Sequence, residues 1–184
     1  MSLFVCLEGV DCVGKTTVAE LLARRINAAY YKSPGGVYAK ERKIVDESIN
    51  PLRRYFYYRA AVQYDSGMIA DLLKISPVVC DRYIYSTFAV HAAMDAKIQA
   101  LFEVTGLVIP DYVFLLTADE RVRRKRLAQR LNATALESNF LLQEKADELF
   151  KLQGHPVIDT TSTTVDEVVE IILSRLRQEG PVRC

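Results

Sequence analysis

The sequence has few residues that could build a metal centre or a set of disulfides. Its 184 residues include four cysteines and two histidines. The cysteines stand at positions 6, 12, 80 and 184, without C-x-x-C spacing and without a histidine close by. Zinc centres need clustered ligands of these types, so the pattern gives zinc no support. Cys6 and Cys80 lie in short apolar runs, where a free cysteine is typically a small core residue.

Long apolar runs and a large excess of one charge are also absent. No run approaches the ~18 residues that a membrane span needs, and no targeting pattern precedes the first apolar segment. The formal net charge is +1 with 26% charged residues, whereas proteins that bind nucleic acid or membrane surfaces carry a strong basic excess. We therefore expect small-molecule partners, no nucleic acid, no membrane, and a cytoplasmic location with reduced cysteines.

A phosphate-binding loop is predicted at residues 9–16, which read Gly-Val-Asp-Cys-Val-Gly-Lys-Thr and match G-x-x-x-x-G-K-T. The loop follows the apolar run 3–7 and precedes a helical pattern that starts at Thr17. Backbone N–H groups of such a loop surround a polyphosphate, while Lys15 can reach the outer phosphates and the Thr16 hydroxyl can contact Mg²⁺. Strand, loop and helix in this order predict a nucleotide-binding protein.

Short apolar runs alternate with helical patterns along the chain. The candidate strands are residues 3–7, 28–31, 77–80, 112–116 and 156–158. Repeated strand–helix–strand units predict an α/β fold in which helices cover both faces of a parallel sheet. The hydrophobic content of 50% and the length suit a single domain. Ligands of such sheets bind beyond the carboxyl ends of the strands, so we expect the site there.

A carboxylate and a guanidinium follow the third apolar run, as Asp81 and Arg82. Asp81 can hold Mg²⁺ through its water shell, and Arg82 can grip an acceptor phosphate with two hydrogen bonds. An ion pair that merely ends the strand is the structural alternative. A second basic feature is the run 121–130, in which Arg126 and Arg130 share one helical face. They could neutralise a transferring phosphoryl group, or the run could be a solvated basic face.

These motifs together resemble the thymidylate kinase family. The resemblance rests on Leu7-Glu8-Gly9-Val10-Asp11 leading into Gly14-Lys15-Thr16-Thr17, then Pro34-Gly35-Gly36, then Asp81-Arg82-Tyr83 with Ser86. It implies one P-loop NTPase domain of three layers over residues 1–184, with a parallel sheet in the order 2-3-1-4-5 and a helical lid at about 121–145. It also implies a homodimer that transfers the γ-phosphoryl group of ATP to dTMP with Mg²⁺.

The same resemblance implies roles for individual residues. The ATP-binding residues would be Gly9, Asp11, Cys12, Val13, Gly14, Lys15, Thr16, Thr17 and Thr161. The acceptor-binding residues would be Asp11, Lys32, Tyr57, Arg59, Arg82 and Ser86, with Asp11 on the sugar 3′-hydroxyl and Arg82 on the phosphate. Phosphoryl transfer would depend on Lys15, Asp81, Arg82, Arg126 and Arg130. Thr16 and Asp81 would hold Mg²⁺, partly through water.

The loop and the lid depart from the family pattern. Lys32-Ser33 stands where the family has Arg-Glu, and Cys12 replaces the arginine that one branch carries in the loop. The lid lacks the Asp-Arg pair of the other branch, so Arg126 and Arg130 remain as candidates for the transition-state arginine. A helix N-terminus lowers the pKa of an exposed thiol nearby, so we expect Cys12 to be the most readily alkylated cysteine.

The part of the sequence that would read the acceptor base is ambiguous. Tyr55 and Arg59 have the family's spacing between an aromatic residue and an arginine, but counting back from the third strand places Tyr57 and Ala61 there. The two registers differ by half a helical turn, so the base-reading residue stays open. Val-His at 90–91 replaces the family's Tyr-Gln pair, and we expect His91 to line a pocket wall rather than to act as a base.

Three other functions use the same loop. A deoxynucleoside kinase must activate a neutral hydroxyl and needs a carboxylate base after the second strand, where this chain has Ser33. A GTP-binding switch needs an Asn-Lys-x-Asp motif, which the sequence lacks. A catalytically weak ATP-binding module remains open because the base-reading and lid arginines are irregular.

We predict that Lys15→Ala abolishes most activity without unfolding the protein. The substitution removes the positive charge from the β- and γ-phosphates but leaves the helix and the sheet intact. Turnover should fall by orders of magnitude while the melting temperature changes little. Near wild-type turnover by the variant would contradict the assignment of the phosphate loop.

Overall fold

The computed structural model describes residues 2–48, 50–131 and 134–179. Cys184 and two residues of the predicted lid lie outside these ranges. The strands are β1 (Phe4–Glu8), β2 (Ala29–Lys32), β3 (Val78–Asp81), β4 (Tyr112–Thr117) and β5 (Val157–Asp159). The helices are α1 (Lys15–Arg25), α2 (Gly36–Asp46), α3 (Pro51–Leu72), α4 (Ile84–Met94), α5 (Glu120–Ala128), α6 (Ala135–Ser138), α7 (Phe140–Lys151) and α8 (Val165–Glu179), with a 3-10 helix at Ala96–Leu101.

The strands form one parallel sheet in the order β2-β3-β1-β4-β5. This confirms the predicted α/β fold and the strand order that the family resemblance implied. The register places Leu7 of β1 beside Asp81 of β3 and Phe114 of β4. The carboxyl ends of the central strands therefore meet at one edge, and the phosphate loop and the Asp81-Arg82 pair emerge there side by side.

Alternate residues of the central strands pack into two apolar cores. Val5 and Leu7 face the core that α1, α7 and α8 cover, whereas Phe4 and Cys6 face the core that α3 covers. Cys6 is fully buried together with Cys80, as predicted for small core residues. Burying each large apolar side chain contributes roughly 1.5–3 kcal/mol, so the three layers depend on these strands. Within the described ranges, no helix has both the length and the apolarity that a membrane span requires.

The turn that follows β1 requires glycine at position 9. Gly9 has φ +134°, and a Cβ atom added there would lie 2.2 Å from the backbone oxygen of Leu116 on β4. No side chain fits at that separation, and L residues rarely adopt this φ. The close approach lets the loop begin directly above the sheet edge.

We predict that Gly9→Ala lowers the free energy of unfolding by ~3 kcal/mol or more, because the new methyl group meets backbone that cannot move freely. Denaturant unfolding measures the effect. Gly67→Ala is the matched control, since Gly67 lies inside α3 with nothing within 4 Å of its added Cβ. That control should stabilise the protein by about 1 kcal/mol. Equal effects of the two substitutions would contradict this account of Gly9.

Candidate active site

Three neighbouring cavities open at the carboxyl edge of the sheet. The loop cavity is lined by Lys15, Thr16, Lys32, Asp81, Arg82 and Arg130. The α3–α4 cavity is lined by residues that include Ser33, Arg54, Tyr58, Ser86, Thr87 and His91. The α8 cavity is lined by residues that include Thr17, Arg126, Thr160, Thr163, Thr164 and Val165. Asp11 and Arg82 line both of the first two cavities, and Arg130 lines the loop and α8 cavities, so the three cavities adjoin in a row.

The phosphate loop holds its lysine in a buried position. Lys15 begins α1, its side chain is buried, and Nζ donates to the backbone oxygen of Val10 at 2.5 Å. Burial and the nearby Arg82 together lower the pKa of Lys15 to about 7, although the carboxylates of Asp11 and Asp81 act in the opposite direction. A phosphate anion in the loop cavity would favour the charged form again, since opposite charges stabilise each other at short range. The loop is therefore built to receive an anion at the N-terminus of α1.

Asp81 ends β3 beside the hydroxyl of Thr16. Thr16 Oγ1 donates to Asp81 Oδ2 at 2.5 Å, and Lys32 Nζ lies 3.5 Å from the same oxygen. Burial raises the pKa of Asp81, but Lys15 and Arg82 outweigh burial and hold that pKa below its usual value. Asp81 is thus ionised at neutral pH. Lys32, predicted to bind the acceptor, lies instead on the loop cavity.

Arg82 joins the phosphate loop to α4. Its Nη1 donates to the backbone oxygen of Gly9 at 2.9 Å and to Ser86 Oγ at 3.1 Å, and its Nη2 pairs with Asp11. Burial raises the pKa of Asp11, but the neighbouring Arg82 and Lys15 lower it well below the usual range. Arg82 has φ +70°, a conformation that non-glycine residues adopt mainly at functional sites. Asp11, Arg82 and Ser86, all predicted as acceptor-binding residues, are brought together here.

Two polar residues that the sequence analysis missed complete this network. Gln143 of α7 donates to Asp11 Oδ2 at 2.9 Å and accepts the backbone N–H of Asp11 at 2.9 Å. Glu8 is fully buried, accepts the backbone N–H of Tyr83 at 2.9 Å and accepts the hydroxyl of Ser86. Gln143 lies 132 positions from Asp11, and no local pattern marks it. Glu8 lies next to the loop motif and could have been found from that position.

Comparisons of the sequence and the fold with known proteins identify a family. The model of the thymidylate kinase family matches residues 7–172. A probable thymidylate kinase of Methanocaldococcus jannaschii is 29% identical over 185 residues, which cover 96% of each chain. The thymidylate kinase of Helicobacter pylori is 32% identical over 132 residues, which cover 68% of each chain. The structure of thymidylate kinase from Candida albicans superposes with a TM-score of 0.77 at 20% identity, over 96% of this chain and 91% of that one, which shows the shared fold.

The chain belongs to the thymidylate kinase family. The match runs from the end of β1 through the phosphate loop and into the closing helix α8. It therefore includes every residue that lines the loop, α3–α4 and α8 cavities.

The long helix α3 turns residues other than the predicted ones toward the α3–α4 cavity. Tyr57 donates to the backbone oxygen of Tyr38 at 2.8 Å, and Arg59 lies 3.6 Å from Glu103. Neither lines the cavity, which Arg54 and Tyr58 line instead. In this structure both side chains are engaged outside the cavity, and the acceptor-binding role of Tyr57 and Arg59 stays a prediction. The phase of α3 is set by its packing against α4, which residue spacing along one helix does not reveal.

Two predictions for the ATP side also need correction. Cys12 is buried with an exposed fraction of 6%, and burial raises the pKa of its thiol. The expected alkylation of Cys12 required an exposed thiol, and this thiol is not exposed. Thr161 donates to Asp159 Oδ1 at 2.5 Å and accepts the backbone N–H of Asp119 at 2.9 Å. The neighbouring Thr160 and Thr163 line the α8 cavity, and Thr161 does not.

The two candidate arginines of the lid occupy different settings. Arg126 donates to the backbone oxygen of Cys12 at 3.1 Å, to Thr160 Oγ1 at 3.2 Å and to the backbone oxygen of Thr160 at 2.8 Å. Arg130 lies on the loop cavity and pairs with Glu137 at 2.6 Å, with 48% of its side chain exposed. Arg126 therefore ties the phosphate loop to the segment after β5, and Arg130 can turn toward a phosphate.

We predict that Arg126→Ala and Arg130→Ala differ in what they impair. Arg130→Ala should lower kcat about a hundredfold or more with little change in melting temperature, because it removes charge compensation only. Arg126→Ala should lower the melting temperature and weaken ATP binding, because it leaves the backbone oxygens of Cys12 in the loop and Thr160 after β5 without this donor. Arg121→Ala is the control and should change neither, since Arg121 lies on the exposed face of α5, the helix that carries Arg126 and ends before Arg130. Wild-type kcat in Arg130→Ala would contradict its assignment.

Proposed function

We propose that this protein transfers the γ-phosphoryl group of ATP to dTMP and so produces dTDP. The observation that carries the proposal is the row of three cavities, with the phosphate loop in the middle. ATP would place its nucleoside in the α8 cavity and its phosphates in the loop cavity. The acceptor would enter the α3–α4 cavity, with its phosphate at Asp11 and Arg82, where the two cavities meet.

The residues at the end of β3 fit Mg²⁺. Asp81 Oδ1 is buried and has no hydrogen-bond partner among the described residues, and it belongs to the carboxylate that Thr16 contacts. The described part of the chain has no group of three or more acidic, cysteine or histidine side chains that could hold a metal ion by themselves. Thr16 and Asp81 would therefore hold the ion with phosphate oxygens and water, as is usual for Mg²⁺ in kinases. When bound, Mg²⁺ neutralises charge on the β- and γ-phosphates.

Charge compensation in the loop cavity suits a phosphate acceptor. A phosphate monoester is already anionic near neutral pH and needs positioning rather than a strong base. Arg82 supplies one cation at the shared edge, and Arg42 of α2, which the sequence analysis missed, lines both cavities there. Lys15 and Arg130 face the donor phosphates from the other side. With Lys32, five basic side chains thus line the loop cavity, through which the transferring group would pass.

A deoxynucleoside kinase is not favoured, because the position of its base is occupied by a structural contact. Ser33 donates to Asp65 Oδ2 at 2.6 Å. The Asp65 carboxylate also accepts the hydroxyl of Tyr31 at 2.7 Å and the backbone N–H of Gly35 at 3.0 Å. These bonds commit Asp65 to holding the loop after β2, and Asp65 lines neither the loop cavity nor the α3–α4 cavity.

A panel of acceptors tests the proposal. We predict ADP release with dTMP and little with thymidine or deoxycytidine. Arg82→Ala should lower kcat/KM for dTMP by about a hundredfold or more, while the affinity for ATP stays nearly unchanged. Arg25→Ala, whose ion pairs with Asp166 and Glu170 lie on the surface, controls for loss of an arginine. Efficient phosphorylation of thymidine without any monophosphate as substrate would overturn the proposal.

We also propose a cytoplasmic homodimer formed through α3. An apolar stripe on the exposed side of this helix supports the proposal. Its members, spaced by four residues or multiples of four, are Leu52 (42% exposed), Phe56 (55%), Tyr64 (39%) and Met68 (41%). Patches of this kind mark protein–protein contacts, and a symmetric pair would cover the same stripe on both copies. The buried thiols of Cys6 and Cys80 suit a reducing compartment.

We predict that Phe56→Glu converts the dimer to a monomer, because a charge buried at the centre of the stripe lacks a partner. Sedimentation or light scattering measures the mass. Ile75→Glu is the matched control, since Ile75 is 81% exposed and lies beyond the end of α3. A wild-type protein that is monomeric at micromolar concentration would contradict the dimer.

A further inference from the structure

Besides the hydroxyl of Tyr83, two buried polar atoms on the wall of the α3–α4 cavity lack a hydrogen-bond partner among the residues that the structure describes. They are Nε2 of His91 on α4 and Nε of Arg54 on α3. Both residues line the cavity, with exposed fractions of 2% and 3%. Each atom is also screened from solvent, so water does not compensate for the missing bond. Unpaired buried polar atoms are rare in native proteins and require an explanation.

The imidazole of His91 presents Nε2 as an acceptor. Nδ1 lies 2.6 Å from the backbone oxygen of Thr87, and a carbonyl oxygen can only accept, so Nδ1 carries the proton. Burial lowers the pKa of His91 to about 4, which keeps the ring neutral at pH 7. The rings of Tyr55 and Tyr58 pack against it at centroid distances of 6.0 and 5.1 Å. The ring of His91 is therefore held in one orientation, and the lone pair of Nε2 is free to accept a hydrogen bond.

The guanidinium of Arg54 presents Nε–H as a donor. Its Nη1 donates to the backbone oxygens of Val45 and Asp46 at 3.1 and 2.5 Å, and its Nη2 donates to Asp46 Oδ1 at 2.9 Å. The hydroxyl of Tyr58 donates to the same Oδ1 at 2.6 Å, and Arg42 Nε donates to Oδ2 at 3.3 Å. Asp46 is thus occupied on both oxygens. What Arg54 has left for an occupant of the cavity is its Nε–H and the second N–H of Nη2, and of its three side-chain nitrogens Nε is the one without any partner among the described residues.

A base with an imide group matches a protein site that offers one hydrogen-bond acceptor, here His91 Nε2, and one donor, here Arg54 Nε–H. Thymine carries a single N3–H between two carbonyl groups, so one edge of the base offers a donor next to an acceptor. Cytosine and adenine carry two N–H groups on one exocyclic nitrogen, and the second would need a further acceptor. Because Asp46 is already engaged, an amino base would bury an unpaired N–H there, which is costly.

We propose that His91 Nε2 accepts a hydrogen bond from the imide N3–H of the acceptor base, and that Arg54 Nε–H donates to the adjacent carbonyl oxygen. The inference rests on the proposed function, because it names the base-reading residues of the acceptor site. Because both atoms are screened from solvent, these two hydrogen bonds require a small shift of the side chains that close the cavity, and shifts of this size are common on binding. Both residues set specificity and neither takes part in phosphoryl transfer.

A matched pair of substitutions separates the two nitrogens of His91. His91→Gln places a carboxamide near Nε2 and retains an acceptor there, whereas His91→Asn retains polar atoms only near Nδ1. We expect His91→Asn to raise KM for dTMP and lower kcat/KM by about ten- to hundredfold, and His91→Gln to recover most of the loss. In the wild type, kcat/KM for N3-methyl-dTMP should be lower than kcat/KM for dTMP by a similar factor. In His91→Asn, the difference in kcat/KM between the two substrates should be smaller. The control is His155→Asn, at the only other histidine of the sequence.

Nitrogen NMR of the wild-type protein tests the contact without any substitution. Titration with dTMP should move the Nε2 resonance of His91 and leave that of His155 in place, and N3-methyl-dTMP should not produce the shift. If dTMP is a substrate but neither methylation of its N3 atom nor the substitution His91→Asn changes kcat/KM, the inference fails and the proposed function stands. If dTMP is not phosphorylated, the proposed function fails, and the titration alone decides the contact. A His91 resonance that dTMP does not move overturns the inference in either case.

Discussion

The parallel pairing of β1 with β3 is the constraint on which the site depends. Their register sets Leu7 beside Asp81, and the backbone N–H of Arg82 continues the ladder by donating to the oxygen of Leu7 at 3.0 Å. A slip by one residue would turn Asp81 to the opposite face of the sheet. The two apolar cores fix that register, because alternate residues of β1 are buried on both faces. The packing of the sheet thus positions a carboxylate and a guanidinium beside the phosphate loop.

Buried charges at this edge nearly balance one another. Glu8, Asp11 and Asp81 lie near Lys15 and Arg82, and burial would be unfavourable for any of them alone. The cations outweigh burial for Asp11 and Asp81, whose pKa values are lowered, whereas burial outweighs the neighbours for Glu8, whose pKa is raised. The arrival of phosphate anions and Mg²⁺ changes this balance, so the same network that holds the loop can respond to its ligand.

The donor and acceptor ends of the site differ in how they are built. The donor end uses a short continuous motif and backbone N–H groups, which is the arrangement common to P-loop proteins. The cavity proposed for the acceptor is lined by side chains from α2, α3, α4 and α7, with Arg54, Asp46 and Tyr58 joined by hydrogen bonds. The aromatic and arginine pair expected from the family pattern does not line this cavity.

The sequence by itself determined the features that depend on neighbouring residues. The loop at 9–16, the five apolar runs and Asp81-Arg82 at the end of the third run were all readable, because a loop motif or a buried strand is a local pattern. Only the tertiary structure decided which face of α3 meets the cavity, that Gln143 clamps Asp11, that Cys12 is buried, and that Arg126 holds the loop while Arg130 stays available. Each of these depends on the packing of elements far apart in the chain. The phase of a helix and the partner of a side chain are set by that packing, and residue order does not specify them.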